Sequence, residues 1–471
     1  MGSVMSRLLG MAFNQLAKDR PRLLIVGGGY VGFTLAQRLQ TRIKESGGVV
    51  TVVDPNPYMT YLPFLPEVAA GNIEARSAIV PHRQHLKDCE LIGGRVESID
   101  HANRTVSIRG IDQGPNFDLP YDEIVIAGGS MTRTFPIEGL ADSAIGLKTI
   151  EEAVSLRNWV LERIEIASLT DDEHEKRKAL TFVVVGGGYA GTEGLAELED
   201  MARTAVERND RLKVSDLRFV LVEAMDRIMP EVSKERAEQV VAQLRSRGIE
   251  VLLNTSLNSA KDQLVKLINM KDKSPAGEMY TDTLVWTAGV QASPFVKNSD
   301  LPVDERGRVR AGADLRVTGD DGPIEGAWAA GDIAAVPDLT GTGPGGFCVP
   351  NAQHAVRQAK TMAKNIIAAR EGKALEDYYH ENLGAVAGLG LYKGVANIRG
   401  VEFSGLPAWA AHRFYHGYAI PTIERKVRIF SEWGINMLFG RDTTGMRHVR
   451  DPRRSFKVAA GDEVDTAKAR L

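Results

Sequence analysis

Arg22-Leu23-Leu24-Ile25-Val26-Gly27-Gly28-Gly29-Tyr30-Val31-Gly32 decides the fold, and the chain repeats the phrase as Thr181-Phe182-Val183-Val184-Val185-Gly186-Gly187-Gly188-Tyr189-Ala190-Gly191. Each apolar, β-branched run reads as a short strand of a parallel sheet covered on both faces. A helix should follow each turn. Val31, Leu35, Ala36 and Leu39 share one helical face after the first, and Ala190, Leu195 and Leu198 share one, more loosely, after the second. In a strand, glycine turn and helix of this kind, Gly27 and Gly186 permit the tight turn. Gly29 and Gly188 let backbone approach a pyrophosphate, and Gly32 and Gly191 allow helix to pack on strand. A single such turn is weak evidence. Two in one chain point to two dinucleotides side by side, and so to electron transfer.

A dinucleotide site also needs a carboxylate at the end of the next strand, where it accepts from the ribose hydroxyls. Asp54 closes Val49-Val50-Thr51-Val52-Val53, and Glu223 closes Arg218-Phe219-Val220-Leu221-Val222. The second spacing exceeds the usual value of about 20 residues, because the charged stretch from Asp200 to Asp216 reads as a lengthened helix end and loop. The charge of Glu223 should repel the 2′-phosphate of NADPH. Arg227 lies near enough in sequence to offset it.

The 471 residues, 43% of them hydrophobic, suit two to three domains with a large core, and a net charge of -3 gives no sign of nucleic acid as a partner. No segment has the roughly 18 consecutive apolar residues needed to span a bilayer. Cys89 and Cys348 stand far apart and form no CxxC pair, so transfer through an adjacent dithiol is disfavoured. Both read as reduced thiols of a cytosolic protein. The N-terminus lacks the h-region of a signal peptide. Its Met1-Gly2-Ser3-Val4-Met5-Ser6 matches a myristoylation pattern and is read as a chance match.

Further along, Tyr121 to Ser130 and Thr283 to Gly289 each read as a strand ending in a small-residue turn, at Gly128 and Gly289, where chain can pass close to a cofactor. Gly326 to Ile333 offers Gly331 and Asp332 at the mouth of another strand. Pro350 favours a helix start, and Gln353 and Arg357 then share one face at i, i+4. If buried beside a flavin, this amide and guanidinium could hydrogen-bond its pyrimidine edge or a quinone carbonyl; an exposed polar helix face is the alternative. Glu193, in the first turn of the second helix, gains from the helix dipole. From Leu406 to Arg454, aromatic and aliphatic residues interleave with nine basic ones, Arg413, Arg425, Lys426, Arg428, Arg441, Arg447, Arg450, Arg453 and Arg454. Pro407 and Pro421 divide the stretch into helical pieces. Such a pattern suits a helix lying in a membrane interface, with a dimerisation or core-covering hairpin as the alternative.

In order and wording these signals resemble the two-dinucleotide-binding flavoprotein superfamily, and within it the type II NADH dehydrogenases (NADH:quinone oxidoreductases), from about Arg22 to Arg450. The resemblance implies an α/β chain of tandem Rossmann-like dinucleotide-binding domains with a C-terminal helical membrane-associating region. It implies that the first turn and Asp54 hold FAD, that Asp332 meets its ribityl or pyrophosphate part, and that the second turn and Glu223 hold NADH. Thr60 to Gly71, with Pro63, looks like the family's loop near the flavin, and Pro350 to Gln358 like its quinone-site helix. Of the family pattern AQxAxQ this chain keeps Ala352, Gln353 and Ala355, but has Arg357 at the first later glutamine and Gln358 beyond it. Glu193, Gln353, Arg357 and Gln358 are therefore the expected catalytic positions, and a glutamate placed like Glu193 lies near nicotinamide and flavin in the similar enzymes.

The expected organisation is an N-terminal extension (1–20), an FAD-binding domain in two parts (21–145 and 306–394) around an NADH-binding domain (146–305), a membrane-associating region (395–455) and a disordered tail (456–471). The implied activity passes hydride from NADH to FAD and then two electrons to a membrane quinone, ubiquinone or menaquinone, without pumping protons. The enzyme would sit peripherally on the cytoplasmic face of the inner (plasma) membrane, with a homodimer left open. Three rivals stand beside it: a soluble NAD(P)H:ferredoxin or rubredoxin reductase, a sulfide:quinone oxidoreductase dependent on Cys348, and a slow redox-sensing FAD and NADH binder.

Overall fold

A computed structural model describes residues 20–381, 384–398, 400–446 and 452–461. The myristoylation pattern at Gly2, nearly all of the N-terminal extension, Arg447, Arg450 and the chain after 461 lie outside the described residues. The chain divides into two compact units. The first comprises Met1–Thr60, Val80–Met131 and Val290–Asn382, the second Tyr61–Ile79, Thr132–Gly289 and Leu383–Leu471, and only their described residues are meant below. Five helices matter to the site: α1 (Tyr30–Glu45), α2 (Tyr189–Glu207), α3 (Ala352–Arg370), α4 (Leu406–Ala419) and α5 (Ile423–Phe439).

The first unit is built on an eight-stranded sheet. Its centre is parallel, in the order Gly322–Ala329, Glu123–Ile126, Arg22–Val26, Val49–Asp54 and Cys89–Asp100, with antiparallel strands at both edges. Every residue of Arg22–Val26 is buried, as expected of a central strand of a parallel sheet, and the Arg22 side chain is paired with Glu90. The chain leaves this strand on one side through α1 to Val49–Asp54, while Glu123–Ile126 lies on the other side. That reversal opens a crevice at the carboxyl ends of the strands, where open α/β sheets bind ligands.

The second unit repeats the plan with a parallel five-stranded sheet, in the order Ala144–Gly146, Thr283–Trp286, Thr181–Val185, Arg218–Val222 and Glu250–Leu252. Its last part adds an antiparallel sheet of Gly384–Gly388, Gly394–Ile398 and Val401–Ser404, followed by α4 and α5. Pro407 sits at the start of α4 and Pro421 falls between the two helices, as their fixed φ and missing N–H dictate.

Three details differ from the sequence reading. Tyr61–Ile79 and Thr132 to Ile145 group with the second unit, although 21–145 is expected to be continuous; likewise Val290 to Glu305 groups with the first unit and the described residues from 384 to Gly394 with the second, against the expected bounds 146–305 and 306–394. The cause for Tyr61–Ile79 is the packing of its short helix Leu65–Ala69 against Ile150–Leu169 and α2, with polar anchoring to the C-terminal helices added to it. Trp433 Nε1 donates to Glu67 at 2.8 Å, and Ser77 Oγ donates to Glu432 at 2.5 Å. Ala190 is exposed rather than facing the core with Leu195 and Leu198. It stands where the turn opens, and the packed face begins one residue later. Residues Arg454–Ala459 form a helix that takes in the start of the expected tail.

Candidate functional site

The two glycine turns have the same geometry. Gly27 has a φ of +104° and Gly186 one of +112°, a conformation that favours glycine. A Cβ at Gly27 would run into the carbonyl of Ala127, and one at Gly186 into Thr287 and Ala288 at 2.6–2.7 Å, so each turn presses on the neighbouring strand end. A Cβ at Gly32 or Gly191 would overlap the carbonyl of Gly27 or Gly186, which explains the third glycine. The middle residues, Gly29 and Gly188, face open space within 4 Å and cap the N-termini of α1 and α2. That opening at the positive end of a helix is the kind of place a pyrophosphate needs.

The carboxylates complete the likeness. Asp54 accepts from the N–H of Gly28 and of Asn56, both at 2.7 Å. Glu223 accepts from Gly187 at 2.6 Å and Met225 at 2.7 Å. Each is thus fixed by its own glycine turn while lone pairs remain for ribose hydroxyls. Burial pushes the Asp54 carboxyl above its ordinary value, against the two N–H groups that favour the anion. His82 bonds the Gly28 carbonyl at 2.9 Å, stacks on Phe33, and is held neutral mainly by burial. It supports the first turn from behind, a role the sequence reading missed. Arg227 donates to the Pro230 carbonyl at 2.8 Å.

At the ends of the neighbouring strands the first unit brings Gly128, Gly331 and Asp332 together. Gly128 lies against the Phe295 ring, where a Cβ would come within 2.5 Å. Ser130 Oγ donates to Asp332 at 2.6 Å, and Gln358, 2% exposed, accepts the Gly331 N–H at 2.8 Å. Gly331 also approaches Val31 of α1 and Ala355 of α3. Asn351 caps α3 by accepting from His354 N–H at 2.7 Å, with Pro350 just before it. Gln353 and Arg357 share a half-buried face, and Arg357 donates to the Gln353 carbonyl at 3.2 Å. Gly289, with a φ of +99°, faces open space in the second unit, and Pro63 lies in the turn Leu62–Phe64 of that unit.

Glu193 lies deeper than a simple helix-start charge. It is 7% exposed, accepts from Gly388 N–H at 2.8 Å, and stands 3.2 Å from His412 Nε2 of α4. The C-terminal arginines correct the sequence reading in part. Arg413, Arg425 and Arg441 are buried, not set along an outer face. Arg413 lies 3.2 Å from Glu67, between the rings of Trp409 and Trp433, and Arg441 lies 3.2 Å from Glu197. A guanidinium flanked by aromatic rings and a carboxylate is stable inside, so Arg413 fastens α4 to Glu67, and Arg441 fastens the chain after α5 to Glu197, while Arg425 pairs with the adjacent Glu424. The apolar side chains do face outward. Phe414, Tyr418, Ile423, Val427, Leu438 and Phe439 are exposed, the last two by 80%.

With these sites placed, comparison with known proteins decides the family. Residues 21–359 match the family Pyridine nucleotide-disulphide oxidoreductase. The chain belongs to this family. It is 28% identical over 433 residues to "Type II NADH:quinone oxidoreductase NdhA" of Mycobacterium tuberculosis, an alignment covering 89% of this chain and 87% of the relative. It is 28% identical over 403 residues to the type II NADH:quinone oxidoreductase of Staphylococcus haemolyticus, covering 83% and 93%. Among solved structures, NDH2 from Plasmodium falciparum in complex with NADH superposes with a TM-score of 0.82 at 19% identity, covering 90% of this chain and all of that one. This last likeness shows a shared fold.

Pyridine nucleotide-disulphide oxidoreductases are named for dithiol chemistry, yet the two cysteines here are free thiols. Burial pushes Cys89 up to about 12 and Cys348 up to about 11, far from the low-pKa thiolate that exchange needs. The residues missed from sequence were His82, Glu67, Glu197, His412 and His416. Only the last two left a signal, a pair of histidines four apart in an aromatic helix.

Proposed function

We propose that the chain is a type II NADH:quinone oxidoreductase, in which the first unit holds FAD at Gly27 to Gly32, Asp54 and Asp332. The second unit would receive NADH at Gly186 to Gly191 and Glu223. The observation that carries this reading is the paired cradle, an open middle glycine beside a carboxylate fixed by the same turn, built twice in one chain. FAD held there would supply the two-electron chemistry between NADH and quinone. The protein residues bind and orient. Gln358 and Ser130 hold the Gly331–Asp332 turn, and Glu223 selects NADH over NADPH by its charge. Gln353 and Arg357 remain the side chains offered to quinone.

Among the described residues no helix is long and apolar enough to cross a membrane. The exposed apolar side chains of α4 and α5 support peripheral attachment, with helices lying in the interface and lipid-soluble quinone reached from there. We place this attachment on the cytoplasmic face of the inner (plasma) membrane, and a homodimer would have to form without covering that face. The test is purification in detergent, a flavin spectrum, and NADH oxidation against short-chain ubiquinone, a menaquinone analogue and ferricyanide. A yellow protein that reduces either quinone is the expected result. A colourless, flavin-free protein would overturn the reading.

A further inference from the structure

The second unit contains a row of buried, ionisable side chains that nucleotide binding does not use. It starts at Glu193, whose carboxylate stands 3.2 Å from His412 Nε2, an ion-pair distance at which the nitrogen is not aligned for a hydrogen bond, so each passage needs a small turn of the imidazole. His412 and His416 occupy successive turns of α4, with ring centroids 4.6 Å apart. His416 Nδ1 is hydrogen-bonded to the Tyr61 hydroxyl at 3.0 Å, and the ring of Tyr415, 45% exposed, lies 5.0 Å from His416. Glu193, His412 and Tyr61 are each buried. The row therefore runs from the helix that opens at the second glycine turn to the surface beside Tyr415.

An apolar side chain at any of these places would be easier to bury, since buried polar groups must find partners to break even. Two histidines in contact are a costly choice for packing alone. Overall NADH:quinone turnover supplies a use, because NADH + H⁺ + quinone → NAD⁺ + quinol takes one proton from solution. Resting on the function proposed above, we propose that Tyr61, His416 and His412 conduct that proton from the surface at Tyr415 to Glu193.

The protonation states suit the task. Burial pulls His412 down, but the facing Glu193, aided by Glu67, more than offsets it, so the pair holds a proton more tightly than a free imidazole. Arg413 opposes this. His416 is driven well below its ordinary value by burial and by its neighbour His412, and stays neutral. A neutral imidazole carries one N–H and one lone pair, so it takes a proton at one nitrogen and releases the other. Burial and the nearby Tyr415 keep the Tyr61 phenol protonated. In each passage a proton enters at the Tyr61–His416 pair, one leaves His416 for His412, and His412 gives its own to the Glu193 carboxylate. Nothing is oxidised in these steps, and the row regains its starting state when Glu193 gives its proton up to the quinol being formed, the one proton that the overall reaction takes from solution.

The experiment compares holoenzyme with its Tyr61→Phe, His416→Phe and His412→Gly variants. Tyr61→Phe keeps the ring that packs on Phe64 at 5.0 Å and removes only the hydroxyl, so unchanged flavin content and melting temperature separate relay from fold. The expected result is a fall in quinone-linked kcat of about ten-fold or more with KM for NADH little changed. The solvent deuterium isotope effect should rise in Tyr61→Phe and His416→Phe, and added imidazole should restore turnover in His412→Gly. A readout independent of turnover is ¹⁵N-imidazole NMR, in which His412 stays doubly protonated above its ordinary range and loses this on Glu193→Gln. If Tyr61→Phe and His416→Phe both keep wild-type kcat and isotope effect, the relay is overturned while the oxidoreductase reading stands. Wild-type protein that passes electrons from NADH to ferricyanide and to no quinone overturns both.

Discussion

Gln358 on α3 accepts the backbone N–H of Gly331 at 2.8 Å, so one buried side chain fixes the turn that presents Asp332. Gln358, one of the expected catalytic positions, accepts from this backbone donor within the first unit. Replacing it by leucine removes the acceptor and leaves that N–H unpaired, at a cost of about 1–3 kcal/mol. The loss should appear as a roughly ten-fold or greater weakening of FAD binding, read by fluorescence titration of the apoprotein. Unchanged affinity in Gln358→Leu would show that the turn is held without it.

Much of this site was legible in the residues. Both glycine turns, the strands before them, Asp54 and Glu223 lie where β-branched runs and glycine spacing put them, because local sterics dictate a strand, a turn and a helix start. The pairing partners were not legible. Glu67 meets Trp433, and Asn72 meets Glu197, across separations of 366 and 125 residues, and no local pattern encodes contacts of that range. The arginines of the C-terminal stretch show the same limit. Composition alone suggested an outer charged face, while burial depended on carboxylates supplied by distant segments.

Glu223 gives a prediction about nucleotide choice. Its carboxylate is pinned by Gly187 and Met225, where a 2′-phosphate would meet a fixed negative charge. Arg227 donates to the Pro230 carbonyl, which holds its guanidinium away from pairing with Glu223. Wild-type enzyme should favour NADH over NADPH in kcat/KM, and Glu223→Ser should narrow the ratio by about ten-fold, the equivalent of roughly 1.4 kcal/mol. Equal kcat/KM for the two nucleotides in wild type would mean the charge argument is wrong.

Glu67 should matter for stability more than its place in a loop suggests. It accepts from Trp433 Nε1 and faces Arg413, with all three side chains buried. Glu67→Ala leaves a buried guanidinium without its counter-charge, which costs about 3–5 kcal/mol. Denaturant unfolding should detect the loss, and limited proteolysis should cut α4 and α5 faster. A mutant as stable as wild type would show that Arg413 is satisfied by its aromatic neighbours alone.

The exposed face of α4 and α5 predicts membrane binding by apolar contact. Leu438 and Phe439 are each 80% exposed, and fully burying such a side chain stabilises by about 1.5–3 kcal/mol. Leu438→Asp with Phe439→Asp should therefore weaken partitioning onto lipid vesicles by about 100-fold or more, with NADH:ferricyanide turnover retained. Sedimentation with vesicles equal to wild type would remove these residues from the attachment surface.

Buried histidines make the fold less stable in acid. His82, His101, His354, His380 and His416 are all held below the ordinary histidine value, chiefly by burial, and His380 is pushed down to about 4. As pH falls below about 6.5 the unfolded chain takes up protons that these folded imidazoles refuse, so stability falls with pH across that window. For His380 the loss continues down to its folded value. His412 has the opposite sign: its raised value favours the fold below about 6.5, and that share is lost as pH rises through the folded value. His380→Asn isolates one member of the first group, because its Nε2 is buried with no hydrogen-bond partner among the described residues. Melting temperatures between pH 7 and pH 4.5 should decline less steeply in the mutant than in wild type, since one proton-uptake site of the unfolded chain is gone. Parallel declines would mean that His380 titrates alike in the folded and unfolded chain.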